Sequence, residues 1–226
     1  MLTILFDIDG TLVRTGGAGK AAMESALRSA FGIVELLDVV SYSGRTDFAI
    51  ARDLLQAHGI EPSIANQYLL TETYLAALPH CLATYPGEIC PGIPEVLAEL
   101  AQKQDVLVGL LTGNVQVGAK KKLGHFGLWD HFRIGGYGDQ LHNRDDVARS
   151  AIVAANTHLK YEVDPNRVWV IGDTPHDVSC ARAIGAKAIA VATGWHSWEE
   201  LQLCQADLTL HDLADTASLL NAWGLR

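Results

Sequence analysis

Asp7 and Asp9, in Phe6-Asp7-Ile8-Asp9-Gly10-Thr11, come straight after the run Leu2 to Phe6, apolar but for Thr3. In an extended chain, positions i and i+2 lie on one side. Two carboxylates so close repel, and one is driven towards its neutral form unless a cation sits between them. Asp173 and Asp177 repeat the pattern in Gly172-Asp173-Thr174-Pro175-His176-Asp177, after the apolar run Val168 to Ile171. Acids from the two runs together make an oxygen-rich cage suited to Mg²⁺. Between them in the chain, Thr112-Gly113-Asn114 closes a third run, Val106 to Leu111, just before a helical pattern. A hydroxyl and free backbone N–H groups at a helix start form an anion site. Each feature alone has a plainer reading: a turn, a Thr-Gly cap, or acids decorating a helix N-terminus. Together they place a divalent cation beside an anion.

The elements that must carry these residues are legible as a pattern. Leu2–Phe6, Val106–Leu111, Val168–Ile171, Ala188–Val191 and Leu208–Leu210 are apolar without alternation, as strands covered on both faces are. Helical patterns separate them: Pro94–Gln102, Val115–Phe126, Asp146–His158, His176–Ile184 and Leu213–Trp223. This alternation predicts an α/β fold with a parallel sheet and right-handed crossovers, whose C-terminal strand edge is where ligands bind. The stretch from Arg14 to Glu88 contains no convincing strand. It reads as three helices, Ala18–Phe31, Asp47–His58 and Ser63–Leu78, with Asp47 as an N-cap and Gly59 as a stop. A helical insertion therefore interrupts the α/β core after its first strand.

Composition narrows the field. The 226 residues are 49% apolar and 19% charged, an ordinary globular balance. With 17 Lys+Arg against 26 Asp+Glu the net charge is −9, so there is no general attraction to nucleic acid or anionic membrane. No apolar stretch approaches the ~20 residues that span a bilayer. The N-terminus has no basic n-region, and Cys81, Cys90, Cys180 and Cys204 show no zinc spacing. These features point to a cytoplasmic protein with reduced thiols. Lys120-Lys121-Lys122 reads as a solvated helix face, and the nine His residues show no metal-ligand pairing. Gly16-Gly17-Ala18-Gly19-Lys20 fails the phosphate-loop pattern GxxxxGK[ST], which would need Gly at Arg14 and Ser/Thr at Ala21. It suits a hinge into the insertion instead.

With these residues in place, the chain resembles the haloacid dehalogenase-like hydrolase superfamily. The motif DxDGT is matched by Asp7 to Thr11, the strand-end Ser/Thr by Thr112, and GDxxxD by Gly172 to Asp177. Within it the chain looks like the phosphoglycolate phosphatase-like group, whose tail Thr193-Gly194-Trp195-His196-Ser197 resembles. The resemblance implies a Rossmann-like three-layer core with a parallel sheet, residues 1–13 and 89–226, and an inserted α-helical cap, residues 14–88.

The resemblance also implies roles. Asp7 would be the nucleophile that takes the phosphoryl group, and Asp9 the acid–base partner. Mg²⁺ would be held by the Asp7 carboxylate, the Asp9 carbonyl, Asp173 and Asp177. Gly10, Thr11, Thr112, Gly113 and Asn114 would bind phosphoryl oxygens. The family's usual lysine is missing from Tyr137 to Ala155; Arg144 stands at the expected place, with Arg149 as competitor. The residues after Thr112 also depart from the family's Asn-Lys. Arg45, in Ser43-Gly44-Arg45-Thr46-Asp47, falls where the cap's specificity loop is expected. Asp9 argues against a dehalogenase, and Lys20 stands in the wrong place for a Schiff-base lysine of phosphonoacetaldehyde hydrolases. The implied activity is Mg²⁺-dependent hydrolysis of a small phosphate ester, phosphoglycolate being the default substrate. A sugar phosphomutase shares the same residues, whereas a phospho-accepting receiver protein would lack the insertion. Oligomeric state is left open.

Overall fold

A computed structural model describes residues 1–225. The strands are β1 (Leu2–Phe6), β2 (Val13–Arg14), β3 (Glu88–Ile89), β4 (Val106–Leu111), β5 (Ile134–Gly136), β6 (Val168–Gly172), β7 (Lys187–Val191) and β8 (Leu208–Leu210). The helices are α1 (Ala18–Phe31), α2 (Asp47–Ala57), α3 (Ile64–Thr84), α4 (Ile93–Ala101), α5 (Gln116–His125), α6 (Arg144–Leu159), α7 (Pro175–Ala183), α8 (Trp198–Gln202) and α9 (Thr216–Ala222).

Six strands form one parallel sheet in the order β5-β4-β1-β6-β7-β8. Strand pleating sends alternate side chains to opposite faces. Ile4, Phe6, Val108, Leu110, Trp169 and Ile171 pack on one face against α4, α5 and α9. Leu5, Leu111, Val170, Ala188 and Ala190 pack on the other against α6 and α7. The result is the three-layer α/β core that the apolar runs predict. Each large aliphatic side chain removed from water contributes roughly 1.5–3 kcal/mol to holding those layers.

Register decides where the chemistry sits. Phe6 lies opposite both Leu110 and Ile171. The residues that follow these strands, Asp7, Thr112 and Asp173, therefore emerge at one edge. The Asp7 N–H donates to the Ile171 carbonyl at 2.9 Å, which locks that alignment.

The antiparallel ribbon β2–β3 pairs Val13 with Ile89 and Arg14 with Glu88, and α1, α2 and α3 lie between its strands. These helices bury their own cluster, including Met23, Leu27, Leu55, Leu70, Tyr74 and Leu78, with Val115 reaching in from the sheet-bearing part.

Several local expectations are corrected. Thr46, not Asp47, caps α2, its hydroxyl accepting from the Ala49 N–H; Asp47 is the first helical residue. Helix α3 runs through Pro79 to Thr84 rather than stopping at Leu78. The proline withholds an N–H from the ladder, but Cys81 and Leu82 beyond it are buried, which offsets the loss. Helix α9 starts at Thr216, three residues later than the apolar pattern suggested, with Asp215 accepting from the Ser218 N–H. Strand β5, Ile-Gly-Gly, has too little side chain to announce itself. Among the described residues no helix is long and apolar enough to cross a membrane, and the four cysteines are free.

Candidate active site

Asp7, Asp173 and Asp177 converge where β1 and β6 end, with carboxylate oxygens within 4.8 Å of one another. All three are buried, at most 6% exposed. Two glycines make room for Asp173: a Cβ on Gly10 would stand 2.4 Å from its Oδ2, and one on Gly194 1.7 Å. Gly10 also has φ +86°, a conformation that favours glycine. The Thr11 hydroxyl donates to Asp173 Oδ1 at 3.2 Å, and the Thr193 hydroxyl to the Gly10 carbonyl at 2.5 Å. Asp177 is held at the start of α7, its Oδ2 accepting from the Thr174 N–H at 3.0 Å and the Thr174 hydroxyl at 2.7 Å.

The electrostatics follow from this crowding. Burial, then the neighbouring Asp177 and Asp9 charges, push the Asp7 carboxyl up to about 6, although Arg144 works against the shift. Burial and the charges of Asp177 and Asp7 raise Asp173 well above the ordinary carboxylate range. Three buried carboxylates facing one cation are short of positive charge. An all-oxygen donor set of this kind fits a hard divalent ion such as Mg²⁺.

That one cation is Arg144, the first residue of α6. It is buried, donates to Asp7 Oδ1 at 3.4 Å and makes a short contact to Asp177 Oδ1. Its Nε has no partner. Arg149 instead pairs on the surface with Asp146 at 2.7 Å. Of the two arginines that the sequence leaves open, only Arg144 is brought to the carboxylates.

Lys122 corrects the solvated-face expectation. Lys120 is exposed, but Lys122 is buried. Its Nζ lies 2.8 and 2.6 Å from the two Asp9 oxygens. Burial works against the ammonium, yet Asp9 and Asp47 outweigh it and hold its pKa above the ordinary value. A signal for this was present: Lys122 lies three residues after Ala119 and beside Leu123, on the buried face of α5. Asn114 completes the clasp, its Nδ2 donating to Asp9 Oδ2 and to Thr112 Oγ1, each at 2.8 Å. The Asn114 N–H also donates to Thr112 Oγ1, at 3.3 Å, so the Thr112 hydroxyl keeps its own proton to donate.

These groups border a cavity of about 800 Å³. Asp7, Asp9, Gly10, Gly113, Asn114, Arg144 and Asp173 line it, whereas Thr11, Thr112 and Asp177 stand behind its wall. Arg45 lines it from the insert, paired with Asp53 at 2.5 Å. Trp195, 92% exposed, stands at its rim. His176 is a surface residue of α7.

The family profile for haloacid dehalogenase-like hydrolases matches residues 4–191. The chain belongs to this family. As a haloacid dehalogenase-like hydrolase it falls among the phosphatases. It is 25% identical over 223 residues to a phosphoglycolate phosphatase of Pectobacterium atrosepticum, covering 96% of this chain and 91% of that protein. It is 30% identical over 204 residues to an N-acetylmuramic acid 6-phosphate phosphatase of Pseudomonas aeruginosa, covering 85% and 82% respectively. In fold it is similar to CbbY from Rhodobacter sphaeroides, solved in complex with phosphate: TM-score 0.76, 20% identity, 95% of this chain and 96% of that one. Within this haloacid dehalogenase-like phosphatase, the acids were legible from the ends of apolar strands. Lys122 is less legible, because a run of three lysines resembles a solvated face until helical phase separates its buried member.

Proposed function

We propose that this phosphatase is a Mg²⁺-dependent phosphomonoester hydrolase that works through phosphorylated Asp7. The observation that carries the reading is the buried carboxylate cluster of Asp7, Asp173 and Asp177 facing Arg144 at the cavity floor. Asp7, Asp173 and Asp177 would hold Mg²⁺, whose chemistry there is to neutralise charge on phosphoryl oxygens.

An Asp7 carboxylate oxygen attacks phosphorus in line; the new O–P bond forms as the ester P–O bond breaks. Arg144 orients Asp7 through its hydrogen bond. The Gly113 N–H at the cavity wall donates to a phosphoryl oxygen, and Thr112 behind it fixes the Asn114 side chain beside that oxygen. Asp9 gives a proton to the departing alcohol oxygen. Water then attacks the phospho-aspartate, its proton passes to Asp9, and the bond to Asp7 breaks to release phosphate. Lys122 and Asn114 clasp the Asp9 carboxyl and aim it at the oxygen with which it exchanges that proton in both steps. Residues 14–88 serve as a cap over the core of 1–13 and 89–226, a division supported by the separate hydrophobic cluster of the insert.

The test is phosphate release from p-nitrophenyl phosphate, phosphoglycolate and sugar phosphates, with Mg²⁺ and with EDTA. Asp7→Asn should lower kcat by about 10⁴-fold or more. Equal rates in EDTA would sink the metal-dependent scheme. Transfer of phosphate from Asp7 to a sugar, without release to water, would assign a mutase instead.

A further inference from the structure

Beyond the carboxylates, the cavity wall comes from the insert. Met23 of α1, Ile50 of α2 and Tyr74 of α3 form an apolar floor, each almost fully buried. Tyr42 extends it from the loop before α2. Polar demand there is small and specific: Ser43 Oγ is shielded from solvent and has no partner. A buried hydroxyl without a partner is uncommon, and a ligand group is one way to satisfy it.

The cations around this end are all committed. Lys20 pairs with Asp38 at 2.6 Å, Arg45 with Asp53 at 2.5 Å, and Arg14 with Glu88 at 2.7 Å. Lys122 and Arg144, the other cations lining the cavity, are engaged by Asp9 and by Asp7 and Asp177. Asp47 adds a buried carboxyl to the same wall. A second anionic group on the substrate would therefore enter beside Asp47 and would have to share its cation with an acid already paired to it. A buried charge without a partner is strongly disfavoured. The volume of about 800 Å³, carboxylate end included, has room for a ring-sized ligand.

We infer that the alcohol released by this enzyme is an uncharged, ring-sized polyol, not a small carboxylic acid. Its C–H face rests on Met23, Ile50 and Tyr74, and one hydroxyl meets Ser43. Carbon-bound hydrogens of a ring suit an aliphatic and aromatic floor, where a carboxylate does not. The inference rests on the hydrolase reading above and narrows its substrate.

Matched esters test it. Glucose 1-phosphate and glucuronic acid 1-phosphate differ by one carboxylate, as do glycerol 3-phosphate and 3-phosphoglycerate. With Mg²⁺, the neutral member of each pair should have a kcat/KM higher by about tenfold or more. The glucose ester should also exceed the glycerol ester. Asp53→Asn, which releases Arg45, should raise the acid-to-neutral ratio of kcat/KM several-fold. Equal or better turnover of the acids, or a ratio unmoved in Asp53→Asn, overturns the inference. Calorimetric binding of the same esters to Asp7→Asn separates the two readings. If wild type hydrolyses none of them while the variant still binds the neutral members more tightly, the hydrolase reading falls and this one stands.

Discussion

Lys122 and Arg144 divide the cationic work at this site. Arg144 meets Asp7 and Asp177, and Lys122 meets Asp9. The two make different predictions. The Lys122 side chain is 5% exposed while that of Asp9 is 42% exposed. Lys122→Met keeps an apolar stem in the buried part and leaves a carboxylate that water can solvate. We expect unchanged or higher Tm and a kcat lower by about 10²-fold, because Asp9 loses the contact that aims it. A variant with wild-type kcat would remove Lys122 from the mechanism. Asp7, pushed up to about 6, gives a second prediction. A carboxylate must lose its proton to bind metal. Mg²⁺ affinity should rise with pH through about 6, the raised Asp173 carboxyl extending the rise, with protons released on binding, as calorimetry in buffers of different ionisation enthalpy would record. At this scale the acids were legible because a charge directly after a buried strand is costly and demands a reason. Arg144 was legible only by its place in the chain, since nothing local distinguishes a buried arginine from Arg149 one turn later.

At the scale of elements, the loop before α2 is fitted to the end of β4. The Asp47 N–H donates to the Gly113 carbonyl at 2.8 Å, and the Asp47 carboxylate accepts from the Val115 N–H at 2.9 Å. A Cβ on Gly113 would stand 2.0 Å from the Arg45 carbonyl. Gly113→Ala should therefore unseat the loop and lower kcat/KM by about tenfold or more, with a smaller effect on Tm. Wild-type kcat/KM in that variant would show that the docking is dispensable. Asp47 itself sets a pH dependence. Burial pushes its carboxyl up to about 6 from 3.8, so the native state binds its proton more tightly than the unfolded chain does. Stability is then full below the unfolded value and is lost as pH rises towards 6, by up to about 3 kcal/mol. Asp47→Asn keeps an oxygen acceptor for Val115. It should match wild type near pH 4 and exceed it at pH 7, as denaturant titrations at the two values would measure. The sequence placed Asp47 at this helix start but as its cap. The partner it serves, Val115, lies 68 residues away, and no local pattern reveals a cap donated across the fold. The long strands were legible for the opposite reason: runs of four to six residues that are almost all apolar have few other uses. Two-residue strands such as β2 carry no such signature.

For the whole molecule, the insert and the sheet-bearing part have hydrophobic clusters of their own. Elements with separate cores open with separate free energies. Leu70→Ala, inside the α1–α3 cluster, should cost roughly 2–5 kcal/mol there. Amide exchange should accelerate across α1, α2 and α3 and remain slow in β1. Uniform acceleration in both would mean that the two unfold as one. The separation is bridged at the cavity by Val115 and the Asp47 contacts, and beside it by His142, which meets Gln67 and Phe48.

The ribbon β2–β3 has a consequence of a different kind. Its strands leave and return side by side, Val13 against Ile89. All 74 residues between Arg14 and Ile89, with the wall that selects the alcohol, thus hang from one two-strand junction. The acids that handle phosphorus lie on neither strand of it. An insert from another member of the family could be grafted at that junction, exchanging the choice of substrate while leaving the phosphoryl chemistry in place.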